Sequence, residues 1–247
     1  ALSDYLGWLW LTPQMDRLFL EGAAARRRFL DRLIFTFDSG HSGRVTRYEN
    51  ALRQRSKLLQ DNVAERSWLH SLESQMAQTG VAIAAARLDF TNRLQQSCNK
   101  ADKTEENYFP RAILKATGTI EELLQNSPAV EVEKMFIYQL EQSRPRDALV
   151  GGAATGPHKS DMGVTYATKN MAAEQCSTGE QKALLIGIIL AHGRLMAAER
   201  GAPPVLLLDE VAAHLDEARR QALFERLITL GGQVFMSRTD PVLFNYI

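Results

Sequence analysis

Two carboxylates in succession, Asp209 and Glu210, close the aliphatic run Val205-Leu206-Leu207-Leu208. Four aliphatics in a row predict a strand buried on both faces, as at the centre of a parallel sheet. Ligands of such sheets gather at the carboxyl ends of the strands. An Asp there can hold Mg²⁺ through its water shell. The Glu after it can orient or deprotonate a water for attack on a phosphate. Taken alone, the same run also fits an ordinary strand end with two solvated acids.

A second group, Ser177-Thr178-Gly179-Glu180, opens an apolar helical stretch. Ser177 and Glu180 form the S-x-x-E pattern of a capping box. Gly179 lets a backbone approach closely, and the free N–H groups and dipole of a helix start favour an anion. For the motif alone, a plain helix cap is the stronger reading. Asp216 lies shortly after the carboxylates and itself precedes a helix, so it too reads as a cap or as part of a site. A third stretch, Gly151 to Ser160, spaces Gly151 and Gly156 as a phosphate-binding loop G-x-x-x-x-G-K-[ST] would. Pro157 and His158 follow where that loop needs Lys and Ser or Thr, and proline offers no N–H to a nest of donors. The chain contains no such loop, and this stretch is read as a decoy.

These groups need a scaffold. A chain of 247 residues is long enough for one large domain or two modest ones. Its net charge is zero, so no global field recruits nucleic acid or an anionic membrane. Two cysteines, Cys98 and Cys176, make no disulfide framework and point to a reducing compartment. No run reads as long enough to span a bilayer, and the apolar start lacks the basic leader of a signal peptide.

Tyr5 to Leu11 reads as a strand and Ala23 to Phe35 as a helix with Phe29, Leu30, Leu33 and Ile34 on one side. From His41 to Gln96 helical spacing dominates: Tyr48, Leu52, Leu59 and Val63, then Leu69, Leu72 and Met76, then Ile83, Ala86, Phe90 and Leu94. Breaks at Gly40 to Gly43 and at Thr79-Gly80 predict two or three antiparallel helices. A short strand is expected from Arg111 to Ala116, and a helix from Glu131 to Gln142 with Val132, Met135, Phe136 and Leu140 inward. Another strand is expected at Met162 to Ala167. A buried helix from Ala183 to Ala198, the strand ending in Asp209, a helix from Asp216 to Leu230 and a strand at Gln233 to Met236 complete an α/β pattern with a parallel sheet. Between Gly22 and Arg66, ten Lys or Arg face five Asp or Glu. Arg26, Arg27, Arg28, Arg32, Arg44, Arg47, Arg53 and Arg55 can track nucleic-acid phosphates or form a solvated helix face.

The order of capped glycine-containing helix start, buried helix, aliphatic strand ending in Asp-Glu, and Ala212-Ala213-His214-Leu215-Asp216 resembles the second half of an ABC-type ATPase head. The stretches "STGEQKALLIGIILAH", "PVLLLDEVAAHLD", "GPHKSDM" and "WLTPQMDRLFLEGAAARRRFLDRL" are similar to the RecF family of bacterial recombination-repair proteins, from about Trp8 to Phe244. The resemblance implies an α/β fold: the C-terminal portion of a P-loop NTPase head of ABC type, with an inserted all-helical arm. It divides the chain into a head segment at 1–38, an arm at 39–108 and a second head segment at 109–247.

By the same resemblance Gln14 is the Q-loop residue, contacting metal and attacking water, Asp209 the Mg²⁺ residue and Glu210 the catalytic carboxylate. Ser177, Thr178, Gly179 and Glu180 form the signature that caps a γ-phosphate held by a second molecule. Asp216 communicates across the dimer. The implied cofactors are ATP and Mg²⁺, and the implied assembly is an ATP-dependent homodimer. Implied partners are DNA at gaps and single/double-strand junctions, contacted by Arg26, Arg27, Arg28, Arg47, Arg53 and Arg55, together with RecR, RecO and RecA. A cytoplasmic location, a place in the SOS response and the loading of recombinase at gapped DNA come with it.

Two departures stand out. Arg238, in "FMSRTD", lies where many such heads carry a switch histidine, and Asp240 there suits only a cap at Pro241. The Walker A lobe, which precedes the Q-loop in such heads, is expected to be cut away, leaving a fragment inactive alone. An ABC-type subunit of another system and a non-enzymatic partner-binding module remain alternatives. Transport ATPases usually read LSGGQ and lack the arm.

Overall fold

The computed structural model describes residues 7–61, 65–211 and 215–237. Tyr5 and Leu6 of the expected first strand, Val63 of the first helical stripe, His214, Arg238 and Asp240 lie outside them. The chain divides into two compact units.

The first unit takes in 1–26, 91–115 and 163–247. Its centre is a parallel sheet of β1 (Trp8–Leu11), β5 (Val205–Asp209) and β6 (Val234–Ser237), in the order β1-β5-β6. Leu11 pairs with Leu208, and Asp209 with Ser237. The expectation that β5 is buried on both faces is corrected. Leu206 and Leu208 are buried, but Leu207 is 37% exposed and Phe235, beside it on β6, 53%. The buried helix is α7 (Thr178–Arg200), five residues longer at its start than its apolar run. It ends at Gly201 in the left-handed conformation, a glycine C-cap. Gly193 lets α7 and α8 (Glu217–Leu230) approach, since a Cβ there would sit 2.9 Å from Leu230 Cδ2. The reading that no run is long enough to cross a bilayer also needs correction, because α7 has the length and hydropathy of a span. The protein itself buries 78% of that window, as befits a core helix.

The second unit takes in 27–90 and 116–162. It contains most of α1 (Ala23–Phe35) and α3 (Arg66–Cys98), together with α2 (His41–Gln60), α5 (Thr119–Leu124) and α6 (Ala129–Val150). A short helix, α4 (Lys103–Tyr108), belongs to the first unit. The strand β2 (Ala112–Thr117) joins β3 (Asp161–Tyr166) and β4 (Met171–Ala172) in a small second sheet. Tyr48, Leu72, Met76, Ile83, Ile120, Val132, Phe136 and Leu140 form the second unit's core.

No break occurs at Thr79-Gly80: α3 runs unbroken for 33 residues. The Thr79 hydroxyl donates to the carbonyl of Gln75, one turn back. A Cβ on Gly80 would stand 3.1 Å from both the Tyr48 and Phe136 rings, so the glycine serves close packing and not a turn. The α6 helix extends past the expected Gln142 and through Pro145, and Met135, expected inward, is 41% exposed.

A charged network runs through this core. Arg55 donates to Glu73 at 2.9 Å, to Asp147 at 2.8 Å and to the Leu140 carbonyl at 2.6 Å. Arg144 also donates to Glu73, and Asp147 accepts from Ser143 and from the Ala154 amide. Each buried charge thus has several partners, which a buried ion needs to offset lost hydration. Removing one partner leaves the rest uncompensated. Arg55→Ala is therefore expected to lower stability by about 3–5 kcal/mol. Arg47→Ala, at an exposed position, is expected to change it by no more than about 0.5 kcal/mol. Urea unfolding of the two variants checks this, and equal midpoints would show that the network is not what holds the unit.

Candidate functional site

Parallel pairing brings three remote segments to one edge of the first unit. β1 ends at Leu11 beside Leu208, and the chain then turns through a 3-10 segment, Pro13–Arg17, that carries Gln14 exposed. β5 ends one residue later at Asp209, also exposed. The Ser237 hydroxyl donates to Asp209 Oδ1, and the Glu210 amide donates to the Ser237 carbonyl at 3.3 Å. Glu210 has φ +52°, a left-handed conformation that costs a non-glycine residue about 1–2 kcal/mol. Such strain clusters at working sites, and no sequence pattern announces it. Asp209, Gln14 and Glu210 supply the carboxylate and amide oxygens that suit a hard divalent cation with its own waters. Asp209's exposed carboxylate at the strand end fits that use.

The capping box at α7 forms in full. The Ser177 amide and hydroxyl donate to Glu180 Oε2 at 2.9 and 2.8 Å, and the Glu180 amide donates back to Ser177 Oγ at 3.4 Å. Lys169 pairs with the other oxygen, Glu180 Oε1. That lysine, then the Ser177 amide and hydroxyl, pull the Glu180 carboxyl down to about 2. Ser177, Thr178 and Gly179 are exposed. One turn on, Lys182 is buried and paired with Asp16 at 3.1 Å, which ties the start of α7 to the segment that carries Gln14. Gln181 donates to the carbonyl of Cys176 at 3.0 Å and closes the turn from beneath.

Asp216 caps α8, accepting from the Arg219 amide at 2.8 Å. The Arg219 guanidinium lies 3.7 Å from where a Cβ on Gly179 would stand. It therefore brings the start of α8 beside the start of α7. The sequence reading passed over Arg219 and Lys182. Their signal was position alone, three residues after a cap and two after the capping glutamate.

The "GGAATGPHKS" stretch lies in the second unit and is no phosphate cradle. Several of its amides are already committed. Gly151 N–H donates to the Asp147 carbonyl, Ala154 N–H to the Asp147 carboxylate, and Lys159 N–H to the Gly156 carbonyl.

The six arginines expected at DNA fare differently. Arg28, Arg47 and Arg53 are exposed. Arg26 is half-buried and donates to the Glu21 carbonyl, and Arg27 is half-buried and donates to the Ser160 carbonyl. Arg55 is corrected: it is fully buried among Glu73, Asp147 and Leu140 and reaches no surface. Its neighbours in sequence gave it an amphipathic context, but the helix turns it inward.

Two other features among the described residues are occupied by their own ion pairs. His70, Glu73 and Glu141 bring ligand atoms within 4.8 Å of one another, but Glu73 is held by Arg55 and Arg144. A cavity of about 320 Å³ at α4, α7 and α8 is lined by Arg194, paired with Glu105, and Arg226, paired with Asp102.

Lys169→Met removes the largest influence on Glu180, so its pKa is expected to rise toward 4.5. A depressed carboxyl adds stability that is present above its unfolded pKa and lost as pH falls through about 2. In the variant that loss moves to higher pH. Side-chain carboxyl NMR of Glu180 from pH 6 to pH 2 reads the shift, and an unmoved titration would remove Lys169 from the box.

No family model matches the chain. It is 48% identical to the DNA replication and repair protein RecF of Mesorhizobium japonicum, over 99% of this chain and 65% of that protein. It is 46% identical to RecF of Rhizobium rhizogenes, over 99% of this chain and 64% of that protein. The chain thus spans about 65% of the length of the curated relatives it matches. The solved structure of the recombination mediator protein RecF with ATPrS superposes on 98% of the chain and 66% of that structure, with a TM-score of 0.83 at 21% identity. RecF with ATP gives 0.79 over 96% of the chain and 62% of that structure, also at 21% identity. The fold is that of these RecF structures over the matched span, α/β with a parallel sheet and a helical insertion.

Proposed function

The chain is a RecF homologue along 99% of its length, and from that premise we propose that it is the larger part of an ATP-dependent DNA-binding protein of replication and recombinational repair. The observation that carries this reading is the pairing of Asp209-Glu210, at the carboxyl edge of a parallel sheet, with an exposed capping box in the same unit. An ABC-type site needs both halves, one to hold the metal and water and one to close over the phosphate of a second copy. The exposed apolar face of Leu207 and Phe235 supports a further layer in the whole protein, because parallel sheets are covered on both faces.

In this reading Asp209 and Gln14 hold Mg²⁺, which neutralises charge on the phosphate oxygens. Glu210, aimed by its left-handed backbone, orients and deprotonates the attacking water. Ser177, Thr178 and Gly179 present an exposed helix start to the γ-phosphate bound by the partner copy. Lys169 and Ser177 hold the Glu180 carboxylate at the rim, out of the phosphate's path. Asp216, fixed as a cap beside the signature, carries the state of one site to the other. ATP closes a homodimer and hydrolysis opens it. The arm is the helical stretch 39–108, with α2 and α3, and Arg26, Arg27, Arg28, Arg47 and Arg53 contact DNA at gaps and strand junctions. RecR, RecO and RecA are the partners, the setting is cytoplasmic, and this span is inactive as an ATPase by itself.

In a chain of the relatives' full length, Glu210→Gln is expected to slow ATP turnover by about 10²–10⁴-fold while the ATP-bound dimer accumulates. Phosphate release and light scattering with ATP and Mg²⁺ measure both. Turnover at the parental rate would take Glu210 out of the catalytic role.

A further inference from the structure

One turn of the second unit that brings a lysine to the surface is held from behind by several hydrogen bonds. It is the Gly156–Ser160 turn, whose 3-10 segment is Pro157–Lys159. The Pro157 carbonyl accepts from Arg87 at 2.6 Å and the Ser160 carbonyl from Arg27 at 2.7 Å. His158 is engaged at both nitrogens, by the Tyr48 hydroxyl at 2.7 Å and the Ala153 carbonyl at 3.0 Å. The Ser160 hydroxyl donates to the buried Glu121 at 2.6 Å. Gly156 has φ +135°, and a Cβ there would stand 2.3 Å from Tyr48 Oη, so no other residue fits. Of the five residues only Lys159 is exposed, and it has no ionic partner among the described residues. A flexible cation on a backbone held at every neighbour is preorganised, which lowers the entropy lost on binding an anion.

The surroundings are positive. The Arg27 guanidinium is pushed below its usual range by burial first, and then by the charges of Arg87 and Arg28. Arg28 is exposed and likewise has no ionic partner among the described residues. Of the nearby acids, Asp31 is bound by both Arg87 and His41, burial pushes the Glu121 carboxyl up toward its neutral form, and Asp161, which accepts from the Met162 amide, is offset by Arg27, Arg87 and Arg28.

We propose that this turn is a phosphate-contact element in which Lys159, together with Arg28 of α1, binds backbone phosphates of duplex DNA. The inference rests on the DNA-binding reading above and assigns to it a residue, Lys159, outside the arginine-rich stretch. Phosphate is the shared chemistry of DNA and nucleotide. Pro157 has no N–H and the Lys159 and Ser160 amides are bonded within the turn, which favours a phosphodiester, held by a point charge, over the cradled phosphates of a nucleotide.

The test is fluorescence anisotropy of a labelled duplex with a chain of the relatives' full length, in ATP and Mg²⁺, over a KCl series, alongside binding of a fluorescent ATP analogue. Lys159→Ala is expected to flatten the slope of log K against log[KCl] by about 0.9, and the double variant with Arg28→Ala by about 1.8. Lys159→Arg is expected to keep the parental slope, and the equally exposed Lys134→Ala to leave it unchanged. A thermal midpoint within a degree of the parent's confirms that each variant is folded. If the parent binds DNA and Lys159→Ala keeps its slope, or Lys134→Ala flattens it equally, the proposal fails while the DNA reading stands. Loss of nucleotide binding with DNA binding intact would assign the turn to nucleotide and also overturn it. A parent that binds no duplex at any salt would remove the DNA reading and this proposal together.

Discussion

Three segments, the first far ahead of the other two in the chain, must pair in parallel and in one register, with Leu11 beside Leu208 and Asp209 beside Ser237. The candidate site in the first unit depends on that pairing. A slip of one residue would turn every side chain to the other face. Asp209 would then point away from the hydroxyl of Ser237, and Leu206 and Leu208 would leave the core. The register is enforced by burial, since Leu9, Leu11, Leu206 and Leu208 are all within a few per cent of complete burial. Each such side chain contributes on the order of 1.5–3 kcal/mol when taken from water. The strand ends therefore inherit their precision from apolar contacts behind them.

The α7 helix extends this logic to the second half of the site. Its long apolar face is core, while its first turn is a closed capping box at the surface. Lys182 ties that turn to Asp16, and Arg219 brings the cap of α8 beside it. The opening residues of α7 are therefore a helix cap and a candidate phosphate contact at once. The same hydrogen bonds that start the helix hold Glu180 charged and leave Thr178 and Gly179 open.

The second unit shows how one residue type serves opposite ends. Arg55, Arg87 and Arg144 face inward and bind carboxylates and carbonyls with several donors each, a use for which the planar guanidinium suits better than an ammonium. Arg28, Arg47 and Arg53 carry the same charge outward. Between the two groups sits Arg27, whose guanidinium both braces the Ser160 carbonyl and adds positive potential around it. Inward and outward charge are thus continuous in this unit, and Arg87 and Arg27 also brace the turn that carries Lys159.

The amino-acid sequence by itself determined the local events. The capping box at Ser177, the strand stopped by Asp209 and the cap at Asp216 each follow from bonds within a few residues, and all three formed. The parallel sheet was legible from the strand-helix-strand order, and Pro157 argued against a phosphate cradle at Gly151 to Ser160. Only the tertiary structure decided the rest. Gly80 reads as a break until the rings of Tyr48 and Phe136 are brought against it, and Arg55 reads as surface until Glu73 and Asp147 arrive from other helices. Leu207 reads as core, but the second layer it would pack against is not among the described residues. The left-handed turn at Glu210 and the approach of Arg219 to Gly179 left no trace in the pattern. The reason is common to all of these: periodicity records which face of an element is apolar, whereas partners from distant segments decide what that face meets.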